Sequence, residues 1–306
     1  MRRLPIEMRK GESRERAMLR ALEVLGDALI REGAPALMRA TGSGSIDAVL
    51  VSVDAPWQKT SIRTEHFERK TPFTFSKSLV DSTLKETSTA APGELLVDES
   101  IIGTILNGYE TRDPYGKEVL RASIIILTSH IDERVANDIH SVIRGLYHTK
   151  NILSIAGSSV RYQAMRIAFP HEREALILDA TGPMTSIALV RRDLLVDVIE
   201  IKMKGDTADI DVWLKKVMDE LAELGERFPL PRTIFLLARE PGIVSLRKTL
   251  DAANLGKLWL SDNPPKIVSV LGSHITNSIR QETTTSPDLS LLLMALFWQH
   301  RIPEGA

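Results

Sequence analysis

The chain has 306 residues, 43% of them hydrophobic and 26% charged, a balance that excludes wholesale disorder and suits one large globular unit or two smaller ones. Lys and Arg total 39 against 40 Asp and Glu, so no net field draws in nucleic acid or an anionic membrane from a distance, although a local basic patch is still allowed. The absence of cysteine excludes disulfides, thiolate zinc sites and cysteine nucleophiles and suits a reducing, cytoplasmic setting.

The opening residues, MRRLPIEMRKGESRER, lack the apolar stretch of a secretory signal, and no segment is long and apolar enough for a transmembrane helix. From Ser13, the spacing of Met18, Leu22, Leu25 and Leu29 predicts an amphipathic helix ended by Gly33, with ALMRATGSGS as a loop after it. IDAVLVSVDAPW reads as a strand stopped by Pro56, and Thr60 to Lys70 as a second. Ser76 to Glu86 reads as a short helix with Ser76 as its N-cap. Glu94 to Glu110 is expected to be one extended segment. Turn residues Asp113, Pro114 and Gly116 follow, then a β-branched buried strand from Leu120 to Ser129.

Ile131 to His148 predicts a helix with Val135, Ile139, Ile143 and Leu146 on one face. ILSIAGSSVRYQAMRIAF is a strand leading into a helix, and residues 176–196 form a β-turn-β unit around Asp179. A long helix over Asp211 to Arg227, a buried strand TIFLLA, a helix begun at Pro241 and a short strand KLWL complete the pattern, with an apolar helix from Leu289. Alternating strands and helices place the fold in the α/β or α+β class.

The common catalytic signatures are absent: no GxxxxGK[ST], HExxH, GxSxG or GxGxxG occurs. His130, Asp132, His140 and His148 gather around one helix, but His140 and His148 lie two turns apart, a strained spacing for a shared ion, so no metal site is expected. The turn after Asp179 admits two readings. A carboxylate at a strand end followed by small polar residues can hold phosphate and hydrated Mg²⁺; alternatively, Asp179 hydrogen-bonds its own turn in a plain hairpin.

The segment LDATGPMTSIALV resembles the second phosphate loop of the actin-like proteins FtsA and PilM, with Asp179, Gly182 and Thr185 on the pattern. LNGYETRDPYGKEVLRASIIILTSHIDERVANDIHSVIRGL resembles the stretch that closes the family's small inserted subdomain. ILSIAGSSVRYQAM resembles the helix returning to the main body, and TIFLLAREPGIVSLRKTL lies where the family has its adenosine loop. By order of elements the likeness covers roughly residues 46 to 260. It implies an actin-like (ribonuclease H-like) α/β domain with an inserted strand-helix-strand-strand (SHS2-type) subdomain. The implied division is an N-terminal helix and linker over 1–45, the subdomain over 46–150 and the actin-like domain over 151–306.

Three departures from the family pattern bear on activity. The phosphate-loop glycines that should flank Gly182 are Thr181 and Pro183, and the adenosine-loop glycine pair is Ala238 and Arg239. The family's opening Asp-x-Gly strand has no counterpart, and Asp54 belongs to another strand. With one jaw of the phosphate clamp missing and the other crowded, in-line hydrolysis loses its positioning groups.

The resemblance therefore implies a non-catalytic adaptor or scaffold of a bacterial envelope machine, either the division ring or the type IV pilus platform. Its expected partner is the cytoplasmic tail of an inner-membrane protein, with self-association as a further option and no nucleic acid. The protein would be cytoplasmic or peripheral at the inner face of the membrane, with no obligatory cofactor and ATP with Mg²⁺ as the residual candidate at Asp179, Gly182 and Thr185. The alternatives are an actin-like ATPase and a filament-forming protein. The stretch DLSLLLMALFWQHRIP has no Lys or Arg between Asp288 and Gln299, so it reads as a core or docking helix rather than a membrane-surface helix with a cationic face. Trp57, Phe73, Phe75 and Tyr109 are candidates for a partner groove, with a core role as the alternative.

Overall fold

A computed structural model describes residues 3–87, 90–111, 113–182, 184–201, 209–240, 242–259, 264–276, 278–279 and 288–301. Helix α1 spans Arg14–Thr41, its N-cap Ser13 accepting from Arg16 N at 3.3 Å. It runs through Gly33 and Pro35 and ends at Gly42, whose φ of 76° lets its N–H reach Met38 O. The expected stop at Gly33 and the loop over ALMRAT are thus corrected. Gly42 alone of these glycines adopts the left-handed conformation that terminates helices.

Strand β1, Val49–Val53, is followed by β2, Gln58–Thr74; helix α2, Lys77–Thr87; β3, Glu94–Leu106; β4, Tyr109–Glu110; and β5, Glu118–Asp132. Ser76 Oγ accepts from Leu79 N at 3.2 Å, as an N-cap does. The extended segment expected over 94–110 is broken at Asn107-Gly108, both at positive φ, which is the Asn-Gly chemistry of a two-residue hairpin. Strands β2 to β5 form one antiparallel sheet in the order β2-β5-β3-β4. Its β-branched central strand β5 buries Ile124 and Ile126 against Phe75 and Val80.

Strand β1 is not part of that sheet. It pairs in parallel with β6, Ile152–Ala156, in the register Val49↔Ile152 to Val53↔Ala156. Between them in sequence, helix α3, Glu133–Tyr147, turns Val135, Ala136, Ile139 and Ile143 inward. It crosses α1 closely because position 26 is glycine: a Cβ there would collide with the Leu146 side chain.

Helix α4, Gly157–Ala168, leads to β7, Ala175–Ala180; β8, Thr185–Arg191; and β9, Leu194–Ile201. The apolar run read onward to residue 196 is two strands. Arg192 and Asp193, at φ 52° and 68°, close a two-residue hairpin. After helix α5, Ile210–Arg227, come β10, Thr233–Ala238; α6, Gly242–Ala252; a 3₁₀ turn, Leu255–Leu258; β11, Lys266–Ser269; α7, Gly272–Thr276; and α8, Leu289–Arg301. Pro241, expected to open α6, and Leu260 lie outside the described residues. The strand expected at KLWL is instead the 3₁₀ turn and its cap, held where buried Trp259 donates its indole N–H to Pro231 O at 2.8 Å.

These strands build a five-stranded sheet, β11-β10-β7-β8-β9, in which β7, β10 and β11 are parallel. Parallel strands need cover on both faces. One face of the sheet packs on Trp213, Val217, Leu221 and Leu224 of α5. The other packs with Tyr162 and Met165 of α4 and Leu292, Leu293 and Leu296 of α8. Helix α8 is thus a docked core element. Among the described residues no helix is long and apolar enough to cross a membrane.

The four aromatics weighed as groove or core residues do not share one surface. Phe73 and Phe75 are core, Trp57 packs with α3 and donates to Glu15 at 3.2 Å, and Tyr109 is 79% exposed.

Candidate functional site

Asp54, just past the C-terminal end of β1, and Asp179, near that of β7, both meet one residue of α4. The helix's buried residues are Gly157, Ser159, Val160, Arg161, Tyr162, Ala164 and Met165, and Arg161 is the one charged side chain among them. Arg161 is 7% exposed. Its Nη1 donates to Asp54 Oδ1 at 2.7 Å, and its Nη2 donates to Asp54 Oδ2 at 3.0 Å and to Thr181 Oγ1 at 3.2 Å. Its Nε forms an ion pair with Asp179 Oδ2. Burial pulls the guanidinium's pKa down, but Asp179 and Asp54 outweigh it and hold the pKa above its ordinary value. Gly157 makes room for this arrangement, since a Cβ there would overlap Asp54 Oδ1 and Arg161 Nη1.

Asp179, 6% exposed at the end of β7, also accepts from Thr181 N at 2.8 Å and Thr181 Oγ1 at 2.6 Å, both on Oδ1. This is the hairpin reading of the turn, an aspartate bonded to its own backbone two residues on. Thr185 Oγ1 accepts the indole N–H of Trp213 at 2.9 Å, and both residues are buried. Gly182 faces Asp54 across the turn; Pro183 lies outside the described residues. Asp179, Gly182 and Thr185 line one small space together with Asp54 and Arg161. Three residues the sequence reading did not assign to the site, Arg161, Thr181 and Trp213, take up the polar groups of Asp179 and Thr185. Asp54, read as belonging to another strand, completes it.

One Asp179 oxygen holds the turn and the other holds Arg161, and the space bounded by Asp54, Arg161, Asp179, Gly182 and Thr185 is about 30 Å³.

A second cavity of about 230 Å³ lies beyond Thr181, at the C-terminal ends of β10 and β11, lined by Ala238, Arg239, Glu240, Leu271, Asp288 and Arg3 among others. Arg239, where the family pattern has glycine, has its pKa lowered by partial burial and by the neighbouring Arg3. Arg3 itself is ion-paired to Asp288.

The histidines serve the scaffold. His140 Nε2 lies 2.6 Å from Ser154 Oγ, and His148 caps α3 in the left-handed conformation. Among the described residues no group of three His, Asp or Glu side chains is placed to hold a metal ion.

No family profile and no curated protein matches the chain. Solved structures do. A structure described as the "PilM-PilN type IV pilus biogenesis complex" superposes with a TM-score of 0.53 at 14% identity, over 90% of this chain and 85% of that one. A Bacteroides thetaiotaomicron protein described as having an actin-like ATPase fold and unknown function superposes with a TM-score of 0.45 at 7% identity, over 94% of this chain and 83% of that one. The fold of this chain is actin-like: a mixed α/β body with the antiparallel β2–β5 sheet inserted between β1 and β6.

Proposed function

We propose that this protein is a non-catalytic actin-like adaptor that works beside a bacterial inner membrane. In this reading the β2–β5 unit is an SHS2-type module, and the protein holds the cytoplasmic segment of a membrane protein within an envelope assembly. The observation that carries the reading is Arg161. A buried guanidinium joined to both Asp54 and Asp179 supplies, from the chain itself, the positive charge that a bound cation would otherwise bring between two carboxylates. A fold closed in this way has no need of nucleotide to hold its halves together. The residues Thr181, Ala238 and Arg239 at the family's glycine positions point the same way.

The similar protein was solved with PilN in a pilus biogenesis complex, which favours the pilus platform over the division ring as the setting. The experiment has two arms on the purified chain. Millimolar Mg-ATP should leave the melting temperature unchanged and release no phosphate, whereas a ligand selective for the folded state at about 100 times its Kd would add about 2.7 kcal/mol and several degrees. Co-expression with the cytoplasmic segment of a PilN-type membrane protein should give a complex that survives gel filtration. ATP turnover abolished by Asp179→Asn, with no complex formed, would overturn the proposal.

A further inference from the structure

The segment ahead of α1 has surface chemistry unlike the rest of the chain. The first sixteen residues hold six Lys and Arg against three Glu, in a protein whose net charge is −1. Leu4, Ile6 and Met8, at alternate positions, are 39%, 47% and 53% exposed. Arg9, Lys10, Arg14 and Arg16, next along the chain, are exposed as well, and none of these four forms a salt bridge among the described residues.

The arm is pinned. Arg20 Nη2 donates to Glu7 O at 2.7 Å and to Glu12 Oε2 at 2.8 Å, Arg9 N donates to Glu12 Oε2 at 3.0 Å, and Arg3 is ion-paired to Asp288 at the start of α8. Two of the three acidic residues are engaged elsewhere, Glu12 by Arg20 and Glu15 by the Trp57 indole. The charge left facing solvent is therefore mainly cationic.

We infer that the Arg3–Arg16 segment is a lipid-contact element that lays Leu4, Ile6 and Met8 into the headgroup region of an anionic membrane while Arg9, Lys10, Arg14 and Arg16 meet the lipid phosphates. Exposed apolar side chains followed closely in the chain by cations without a salt bridge among the described residues suit an interface that is wet and anionic outside and apolar within. A nucleic-acid or acidic-protein surface would use the cations and leave the three apolar side chains in water. Pinning both ends of the arm lowers the ordering cost of contact. The inference rests on the placement beside a membrane proposed above. Its test contains no protein partner, so its failure would leave the adaptor reading standing.

The test is flotation of the full chain with vesicles of phosphatidylcholine alone and of phosphatidylcholine with phosphatidylglycerol. Binding is expected only to the anionic vesicles, weakening as salt is raised. The paired substitution Ile6→Asp and Met8→Asp should lower affinity by about tenfold or more, and so should Arg9→Glu with Lys10→Glu, both at unchanged melting temperature because these side chains are exposed. Leu120→Asp, at an exposed site on β5, is the control expected to bind as the parent does. No binding to anionic vesicles would overturn the inference. So would binding that survives Ile6→Asp with Met8→Asp and is competed away by heparin, which would mark a general polyanion surface.

Discussion

Asp54 at the end of β1 and Asp179 at the end of β7, 125 positions later, are joined through the single guanidinium of Arg161. Two carboxylates at the facing ends of two sheets would repel one another; the arginine turns that repulsion into a tie between β1, α4 and β7. Most of the energy lies on the Asp179 side, where both side chains are more than nine-tenths buried. The Asp54 side chain is 40% exposed and its share is screened.

Replacing Arg161 by Met is expected to destabilise the fold by about 3–5 kcal/mol, because it leaves a buried carboxylate without its partner. Adding Asp179→Asn to that variant should recover part of the loss, since the uncompensated charge goes with it. Urea titrations of the two single variants and the double variant give the coupling. Strictly additive effects would show that the two side chains do not act as a pair.

Gly157→Ala should loosen the same tie from the backbone side, by about 1–3 kcal/mol, as overpacking does elsewhere. The added methyl overlaps Asp54 Oδ1 and Arg161 Nη1. In an Arg161→Met background the ion pair is already gone, so the alanine should cost clearly less. An equal cost in both backgrounds would place the strain elsewhere.

Helix α8 buries Leu292, Leu293, Leu296 and Phe297. Leu296→Ala is therefore expected to lower stability by about 2–5 kcal/mol in plain buffer. A reversible membrane-surface helix would lose lipid binding and leave the melting temperature unmoved, so calorimetry without lipid separates the two roles.

The His140 pKa is lowered from its usual 6.5, first by burial and then by the Arg144 charge. The folded state therefore takes up its proton less readily than the unfolded state. Stability from this residue is fully present above pH 6.5 and is lost as pH falls below that value towards the folded-state pKa. His140→Gln should flatten the fall in melting temperature between pH 7 and pH 5. An unchanged slope would show that other groups set it.

Much of the local structure was legible in the chain. Capping and periodicity marked α2, α3 and α5, and β-branched runs marked β5, β7 and β10, because these signals act within a few residues. The misreadings have local causes as well. Gly33 has the residue type of a helix stop, but a glycine ends a helix only where the chain turns left-handed, as Gly42 does. Asn107-Gly108 and Arg192-Asp193 are two-residue hairpin turns within stretches read as continuous, the first with an Asn-Gly signal, the second with none as strong.

The order of strands and helices, the spacing of Asp179, Gly182 and Thr185, and the substitutions at the expected glycine positions belong to the sequence alone. They were enough to suggest an actin-like body whose nucleotide loop is altered. What fills that loop was settled only by folding. Arg161 lies 107 positions from Asp54 and 18 from Asp179, on a helix whose other buried residues are uncharged, and its two partners come from different sheets. Its only trace in the sequence is one charged residue among uncharged ones on the buried side of a helix, since opposite charges that meet through long loop closures leave no periodic pattern to read.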